Sequence, residues 1–169
     1  ALDAFVRMAN KAKEDGIQLK IISATRNFDR QKLIWEGKWT GARKQNGRNL
    51  RTAFSNEKER ALGILKYSSM PGTSRHHWGT DIDINNLNNK YFESGKGKKE
   101  YEWLRDNGFE FGFCQVYSHK DESRPNGYEE EKWHWSYVPL ASKMTKAYQQ
   151  EVDSNSFGGF AGDDALRFD

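Results

Sequence analysis

Residues 74–83 read Ser74-Arg75-His76-His77-Trp78-Gly79-Thr80-Asp81-Ile82-Asp83, and the organisation of the chain follows from them. Ile82 and Ile84 alternate with Asp81 and Asp83, so a strand here sets two isoleucines on one face and two carboxylates on the other. A half-buried strand carries acids only where they are solvated, paired or bound to a cation. Gly79 suits a bend that returns His76 towards the face of Asp83. A second alternating stretch, Trp133-His134-Trp135-Ser136-Tyr137, points His134 and Ser136 away from an aromatic layer. Glu131 lies three residues before His134, where strict alternation sends it to the opposite face. A turn at or before Lys132 is therefore predicted if Glu131 is to join the histidine.

Outward from these strands, Leu2, Phe5, Val6 and Ala9 recur at helical spacing, and Gly16 closes that helix. Ile17 to Ala24 is predicted as a strand running into Thr25-Arg26-Asn27. A short helix is predicted from Asp29, as N-cap, to about Trp35. Tyr101–Asn107 is predicted as a helix, Phe109–Tyr117 as a strand, and Leu140–Val152 as a last helix. These elements predict an α+β fold. A small, mostly antiparallel sheet has helices packed on one side and the functional site on its open face. Residues 1–152 form the single domain. The tail 153–169 is either mobile or wrapped on the surface through Phe157, Phe160 and Phe168.

Composition narrows the function classes. At 169 residues the chain fits one domain. Hydrophobic residues are only 36%, but aromatic residues reach 14%, enough large side chains to build a core and exclude general disorder. A net charge of +3 is too small to imply nucleic acid by itself. Seven cations (Lys38, Arg43, Lys44, Arg48, Arg51, Lys58, Arg60) do face three acids (Glu36, Glu57, Glu59) across residues 36–60. Trp39 and Phe54 are too few and scattered to give single strands a stacking platform, so that stretch is read as a solvated loop and helix, with no nucleic-acid partner. No apolar run approaches the ~20 residues that span a bilayer. A chain starting at Ala1 rather than Met is expected to have lost an upstream targeting segment. The one cysteine, Cys114, excludes an internal disulfide and a thiolate-rich metal site, and is read as a core thiol.

His, Asp and His supply a mixed nitrogen and oxygen donor set. Structural zinc sites are closed and cysteine-rich, whereas three protein ligands with an open position is the catalytic arrangement. Zinc-activated water still needs a base, and Glu131 is the nearby carboxylate. Ser-x-His-x-x-Gly-x-x-x-Asp followed by Glu-x-Trp-His-Trp resembles the zinc D-alanyl-D-alanine carboxypeptidases of the VanY type. Those sit in a broader group with lysostaphin-like peptidases and the hedgehog signalling domain. Ser23-Ala24-Thr25-Arg26 with Gln31 resembles that family's Ser-Gly-Tyr-Arg segment and its following Gln. Pro71-Gly72-Thr73-Ser74 resembles its Pro-Gly-x-Ser lead-in. Gly127-Tyr128 and Tyr137-Val138 match as well, so the resemblance spans roughly Ile17 to Val138. Four fixed positions at ~5% each arise by chance in about one chain in a thousand, so the match is specific.

The resemblance implies one Zn²⁺ held by His76, Asp83 and His134, with Glu131 as catalytic base. It implies Arg26 as the group that binds a substrate carbonyl or carboxylate and steadies the oxyanion, with Gln31 and Ser74 hydrogen-bonding substrate. Trp78, beside the expected metal, is a further candidate substrate contact. His77, His119, Trp133 and Trp135 are read as surface or packing residues. The chain departs from the family pattern at Asp81, where a small residue is usual. Asp81 either orients a ligand histidine or binds a cationic substrate group. The implied function is a monomeric zinc metallopeptidase removing the C-terminal D-alanine of peptidoglycan stem peptides, in the periplasm or cell envelope. An L,D-carboxypeptidase or a peptidoglycan endopeptidase would share this motif. A zinc-bearing binding module without turnover is the alternative of another class.

Overall fold

The structure, a computed structural model, describes residues 1–153 and 156–166. Four short strands, β1 (Ile21–Ser23), β2 (Asp81–Ile84), β3 (Phe113–Gln115) and β4 (His134–Tyr137), form an antiparallel sheet in the order β1-β2-β4-β3. Six helices surround it: α1 (Leu2–Glu14), α2 (Phe28–Trp39), α3 (Leu50–Ala53), α4 (Glu57–Leu65), α5 (Gly95–Asn107) and α6 (Val138–Glu151). The expected α+β architecture is present.

One face of the sheet is covered by α1 and α5. Ile82, Ile84, Phe113 and Trp135 from the strands meet Ala4, Met8 and Ala12 of α1 and Trp103 and Leu104 of α5. The buried stripe of α1 is Ala4, Met8 and Ala12, one residue every turn; of the predicted series Leu2, Phe5, Val6 and Ala9, Phe5 packs against the core from its edge. Leu2 and Val6 are exposed, because the sheet accepts only the narrow alanine-lined face of the helix.

Local partners shorten or extend several elements. The strand predicted over Ile17–Ala24 is confined to Ile21–Ser23. Before it, the backbone is tied to the Asn85 side chain: Lys20 N–H donates to Asn85 Oδ1 at 2.7 Å, and Asn85 Nδ2 donates to the Gln18 carbonyl at 2.9 Å. Asn27 rather than Asp29 caps α2, its Oδ1 accepting from the Arg30 N–H at 2.9 Å. The helix then runs on to Trp39, one turn beyond the predicted end. Helix α5 starts at Gly95, well before Tyr101, and the strand predicted from Phe109 begins only at Phe113, after a 3-10 turn over Gly108–Phe111. Cys114 is half-buried rather than a core thiol.

A second apolar cluster stands beside the open face of the sheet. It joins Trp35 and Trp39 of α2, Leu50 of α3, Ala61 and Ile64 of α4, and Phe160 of the C-terminal segment. Phe160 packs edge-on to Trp35 at 5.9 Å between ring centroids, and Phe157 stacks on Tyr148 at 6.2 Å. Phe157 and Phe160 thus lie against the domain; Phe168 falls outside the described residues. Burial of a large aromatic is worth roughly 1.5–3 kcal/mol, enough to hold α2–α4 as a wall beside the sheet.

Candidate metal centre and catalytic cleft

The face of the sheet turned away from α1 and α5 carries the polar residues of the two motifs. In the β2–β4 register Asp83 lies opposite His134 and Asp81 opposite Ser136, so all four side chains share that face. The 3-10 turn Arg75–Trp78 brings in His76, and Gly79 closes the turn at φ 70°, the left-handed conformation that glycine adopts without strain. The chain turns over Glu131–His134, with His134 N–H donating to the Glu131 carbonyl at 3.2 Å. Glu131 Oε2 consequently stands 3.7 Å from His134 Nδ1. That is the turn the sequence required.

His76 Nδ1 lies 2.7 Å from the Ala24 carbonyl. A carbonyl only accepts, so Nδ1 carries the proton and Nε2 presents its lone pair. Burial lowers the His76 pKa and favours this neutral ring. His134 is arranged in mirror fashion. Its Nε2 donates to Asp81 Oδ2 at 2.8 Å, leaving Nδ1 facing Asp83 Oδ1 at 3.2 Å. Burial alone would lower the His134 pKa, but the bond to Asp81 and the charge of Asp83 beside it carry it up to about 9. The Nδ1 proton is the one a metal ion replaces on binding. Burial would raise the Asp83 carboxyl, but the two histidines hold it well below the ordinary carboxylate range.

The donor set fits a divalent cation. One atom each from His76, Asp83 and His134 lie within 4.8 Å of one another. His76 Nε2 stands 3.4 Å from Asp83 Oδ1. Ligands ~2.0–2.2 Å from a tetrahedral zinc stand about 3.3–3.5 Å apart, close to the 3.4 and 3.2 Å that separate Asp83 Oδ1 from His76 Nε2 and His134 Nδ1. His76 Nε2 and Asp83 Oδ1 are also buried without a hydrogen-bond partner.

Behind this trio Asp81 is fully buried and saturated. Its Oδ2 accepts from Arg75 Nε at 2.8 Å as well as from His134, and its Oδ1 accepts from Thr80 Oγ1 at 2.8 Å and Ser136 Oγ at 2.6 Å. Arg75 is held in turn by Thr145 Oγ1 and Ser136 Oγ. Of the two uses the sequence left open for Asp81, the structure displays the orienting one, with the cation coming from Arg75 within the chain.

In front, the trio opens on a small cavity of about 30 Å³ whose lining includes Arg26, Gln31, Ser74, Tyr117, Tyr128 and Glu131. Burial raises the Glu131 carboxyl to about 7, against the pull of His134, so it exchanges protons near neutrality. Arg26 Nη2 lies 3.9 Å from Asp83 Oδ2, and Arg26 Nε is buried without a partner. The loop bearing Arg26 is clamped by His77. One ring nitrogen accepts from Gly72 N–H at 3.1 Å and the other bonds the Arg26 carbonyl at 2.6 Å, so His77 has a packing role. Gln31 Nε2 donates to the Ser69 carbonyl at 2.7 Å, leaving its buried Oε1 unpaired beside the cavity. An open cleft of about 340 Å³ continues from Arg26, Asp83 and Glu131 past Lys38 to Arg43 and Lys44.

Seven of the eight sequence-assigned site residues meet here: Arg26, Gln31, Ser74, His76, Asp83, Glu131 and His134. Trp78 does not join them. It lines neither the cavity nor the cleft, and its ring lies under the Arg75 guanidinium and against Tyr148. Trp133 does line the cleft, whereas Trp135 packs in the core. The turn that aims Glu131 also takes Trp133 off the strand, so alternation misplaced it. The sequence reading missed Tyr117, whose ring rests on His134 at 4.7 Å, and Lys38, which the longer α2 carries to the cleft.

Comparison with known proteins agrees with this geometry. The family model described as VanY, D-alanyl-D-alanine carboxypeptidase, matches residues 1–140. A D-alanyl-D-alanine carboxypeptidase of Enterococcus faecalis is 29% identical over 139 residues, 82% of this chain and 47% of that protein. YodJ of Bacillus subtilis, provisionally named a carboxypeptidase, is 28% identical over 151 residues, 88% of this chain and 48% of its own length. The chain thus spans about half the length of the curated relatives it matches. The solved structure of VanYB in complex with D-alanine-D-alanine aligns with a TM-score of 0.64 at 25% identity, over 89% of this chain and 75% of that one. A variant of a vancomycin-resistance D,D-pentapeptidase VanY, in complex with Zn(II), shares the fold with a TM-score of 0.62 at 24% identity, over 98% and 80% of the two chains.

Proposed function

Because the chain belongs to the VanY D-alanyl-D-alanine carboxypeptidase family, we propose that it is a zinc metallopeptidase that removes the C-terminal D-alanine from peptidoglycan stem peptides. The observation that carries this reading is the convergence of Glu131 and Arg26 on the cavity in front of His76, Asp83 and His134. His76 and His134 offer oriented lone pairs and Asp83 a charged oxygen, so these three would hold the ion. Bound there, zinc would lower the pKa of water towards ~7 and polarise a peptide carbonyl.

The chain's own groups supply the rest. Glu131, buried at the cavity beside the three ligands, takes the proton of the attacking water and returns it to the leaving D-alanine amine. Arg26 sits with its guanidinium fixed beside Asp83 and stabilises the oxyanion without reorganising. Ser74 and Gln31 line the same cavity, where the unpaired Gln31 Oε1 can accept from the substrate. A binding module without turnover would have no use for a buried carboxyl and a guanidinium with an unpaired Nε facing the same space. Peptidoglycan stands outside the cytoplasmic membrane, so this reading places the enzyme in the cell envelope, working as a monomer. Among the described residues no helix is long and apolar enough to cross a membrane.

The test is a digest of defined muropeptides by the zinc-loaded protein, followed by mass spectrometry and elemental analysis. Loss of one alanine from a pentapeptide, with one zinc per chain, is the expected result. Alanine loss only from a tetrapeptide would reassign it as an L,D-carboxypeptidase, and cleaved cross-links as an endopeptidase. No product from zinc-loaded protein would overturn the hydrolase reading.

A further inference from the structure

Helix α2 carries Gln31 and Lys38 seven residues apart, on one face, towards the site. Lys38 Nζ donates to Gln45 Oε1 at 2.7 Å and to Ser68 Oγ at 2.6 Å. Both partners are neutral oxygens, and among the described residues Lys38 forms no ion pair. Of its three N–H donors, two are used.

This arrangement is built rather than incidental. Gln45 is buried, and its Nε2 donates to the Gly63 carbonyl at 2.7 Å, which turns Oε1 towards Lys38. A tight turn fixes Gln45 itself. Gln45 N–H and Arg48 N–H each bond the other's carbonyl, at 2.9 and 3.0 Å, around Asn46 and Gly47 at positive φ. The same loop presents Arg43 and Lys44 at the rim of the cleft, and the stem of Arg43 lies against Gly37, where a Cβ would come within 2.9 Å of Arg43 Cδ. Burial pushes the Lys38 ammonium down to about 8, outweighing the pull of the Glu131 carboxylate. Two other cations of the basic stretch are used elsewhere: Arg48 stacks on Phe54 and Arg60 on Trp39.

We propose that Lys38, with Arg43 and Lys44 at the rim, is a subsite for a free carboxylate on the peptide upstream of the cleaved bond. The enzyme then favours stem peptides with an acidic group one or two residues before the terminal D-alanyl-D-alanine. The cavity before the trio is the smaller space, about 30 Å³ against about 340 Å³ for the cleft, so the bulk of the peptide is assigned to the cleft, whose wall includes Lys38 with one N–H unused. A carboxylate there would make a charge-assisted hydrogen bond in a partly desolvated setting, where such bonds are strongest. The inference rests on the peptidase reading above.

The experiment uses acylated peptides ending in X-D-Ala-D-Ala, with X as glutamate or its isostere glutamine, and a second series with the acid one residue further upstream. In one series the glutamate peptide should exceed the glutamine peptide in kcat/KM by about tenfold. In Lys38→Met that ratio should fall to about one, and Lys38→Arg should keep part of it. Lys44→Ala alters only an exposed side chain and should reduce the ratio a few-fold even if Lys38→Met fails to fold. A wild-type ratio of one in both series, or a ratio indifferent to both Lys38→Met and Lys44→Ala, overturns the proposal. Peptides ending in D-alanine amide separate the other carboxylate source. Selective loss by Lys38→Met on acid-ended peptides, with the glutamate preference intact, would assign Lys38 to the terminal carboxylate and overturn the proposal too. If no peptide is cut, calorimetric titration of the zinc-loaded protein with acyl-Glu-D-Ala and acyl-Gln-D-Ala still decides. A Lys38-dependent preference for the acid supports the subsite while the hydrolase reading fails, and equal binding sinks both.

Discussion

The two sides of His134 are built on opposite principles. Behind it, Asp81, Arg75, Ser136, Thr80 and Thr145 close a network in which both Asp81 oxygens accept two hydrogen bonds. In front, Arg26 Nε, Gln31 Oε1, His76 Nε2 and Asp83 Oδ1 are buried without partners. An unmet buried donor or acceptor costs roughly 1–3 kcal/mol, so a fold keeps several together only where something else meets them. The rear of the site is structure that happens to be polar. The front is chemistry held open at the expense of stability. The contrast predicts that front substitutions abolish activity while sparing the fold, and rear substitutions act on the fold and on metal affinity first.

The sharpest division is expected at Glu131. Glu131→Gln should lower kcat by about 10²–10⁴, the range for removing a general acid–base, with zinc content unchanged. Its melting temperature should stay level or rise, because a carboxyl pushed up by burial is replaced by a neutral amide. Undiminished turnover with zinc bound would remove Glu131 from the mechanism, and a large drop in melting temperature would break the front-versus-rear contrast itself. Arg26→Met follows, with an expected loss of about 10²–10³ in kcat for a missing oxyanion donor. The fold should persist, since Arg26 is fixed through its backbone, N–H to the His76 carbonyl and carbonyl to His77. A loss confined to KM would mean that Arg26 binds the ground state and the transition state alike.

The front was far more legible in the sequence than the rear. Alternation with isoleucine and tryptophan marks Asp81, Asp83 and His134 as acids and a histidine in conflict with a strand that is only a core element, and the resemblance to the VanY pattern then singles out His76, Asp83 and His134. A turn at or before Lys132 is required only if Glu131 is to share their face, and the chain makes it at Lys132 and Trp133. Asp81 shows the limit. Its alternation with Asp83 reveals which face it takes, but its partner Arg75 comes from a 3-10 turn and Ser136 from another strand, neither of which is a local property. Lys38 was hidden for a different reason. The Glu36-Gly37-Lys38 step looks like a helix end, and only the packing of Trp39 and the Arg43 stem against Gly37 keep α2 going. Trp78 erred the other way: closeness to His76 in sequence does not survive a 3-10 turn, which sends adjacent side chains in different directions.

At the rear, Asp81→Asn should weaken zinc binding about 10–100-fold, the usual cost of losing the group that orients a ligand histidine. Competition with a chelating dye measures it, and nitrogen chemical shifts of the His134 ring report whether Nε2 still carries the proton. Loss of half a buried ion pair should also lower stability by about 3–5 kcal/mol, because Arg75 is left without its counter-charge. Unchanged zinc affinity with a lost fold would confine Asp81 to structure.

The smallest effect, and the cleanest separation, is expected at Ser136. Its hydroxyl donates to Asp81 Oδ1 at 2.6 Å and accepts from Arg75 at 2.8 Å, and it touches neither the cavity nor the cleft. Ser136→Ala removes one link while His134 Nε2 keeps its bond to Asp81 Oδ2. The expected cost is about 1–2 kcal/mol, a fall of roughly 2–8 °C in melting temperature for a domain of this size. Activity of the zinc-loaded protein should change less than threefold, since Glu131, Arg26 and the three ligands stay where they were. A loss of turnover larger than the loss of stability would show that the network behind His134 tunes the reaction as well as holding the ring, and the two sides of the site would have to be treated as one.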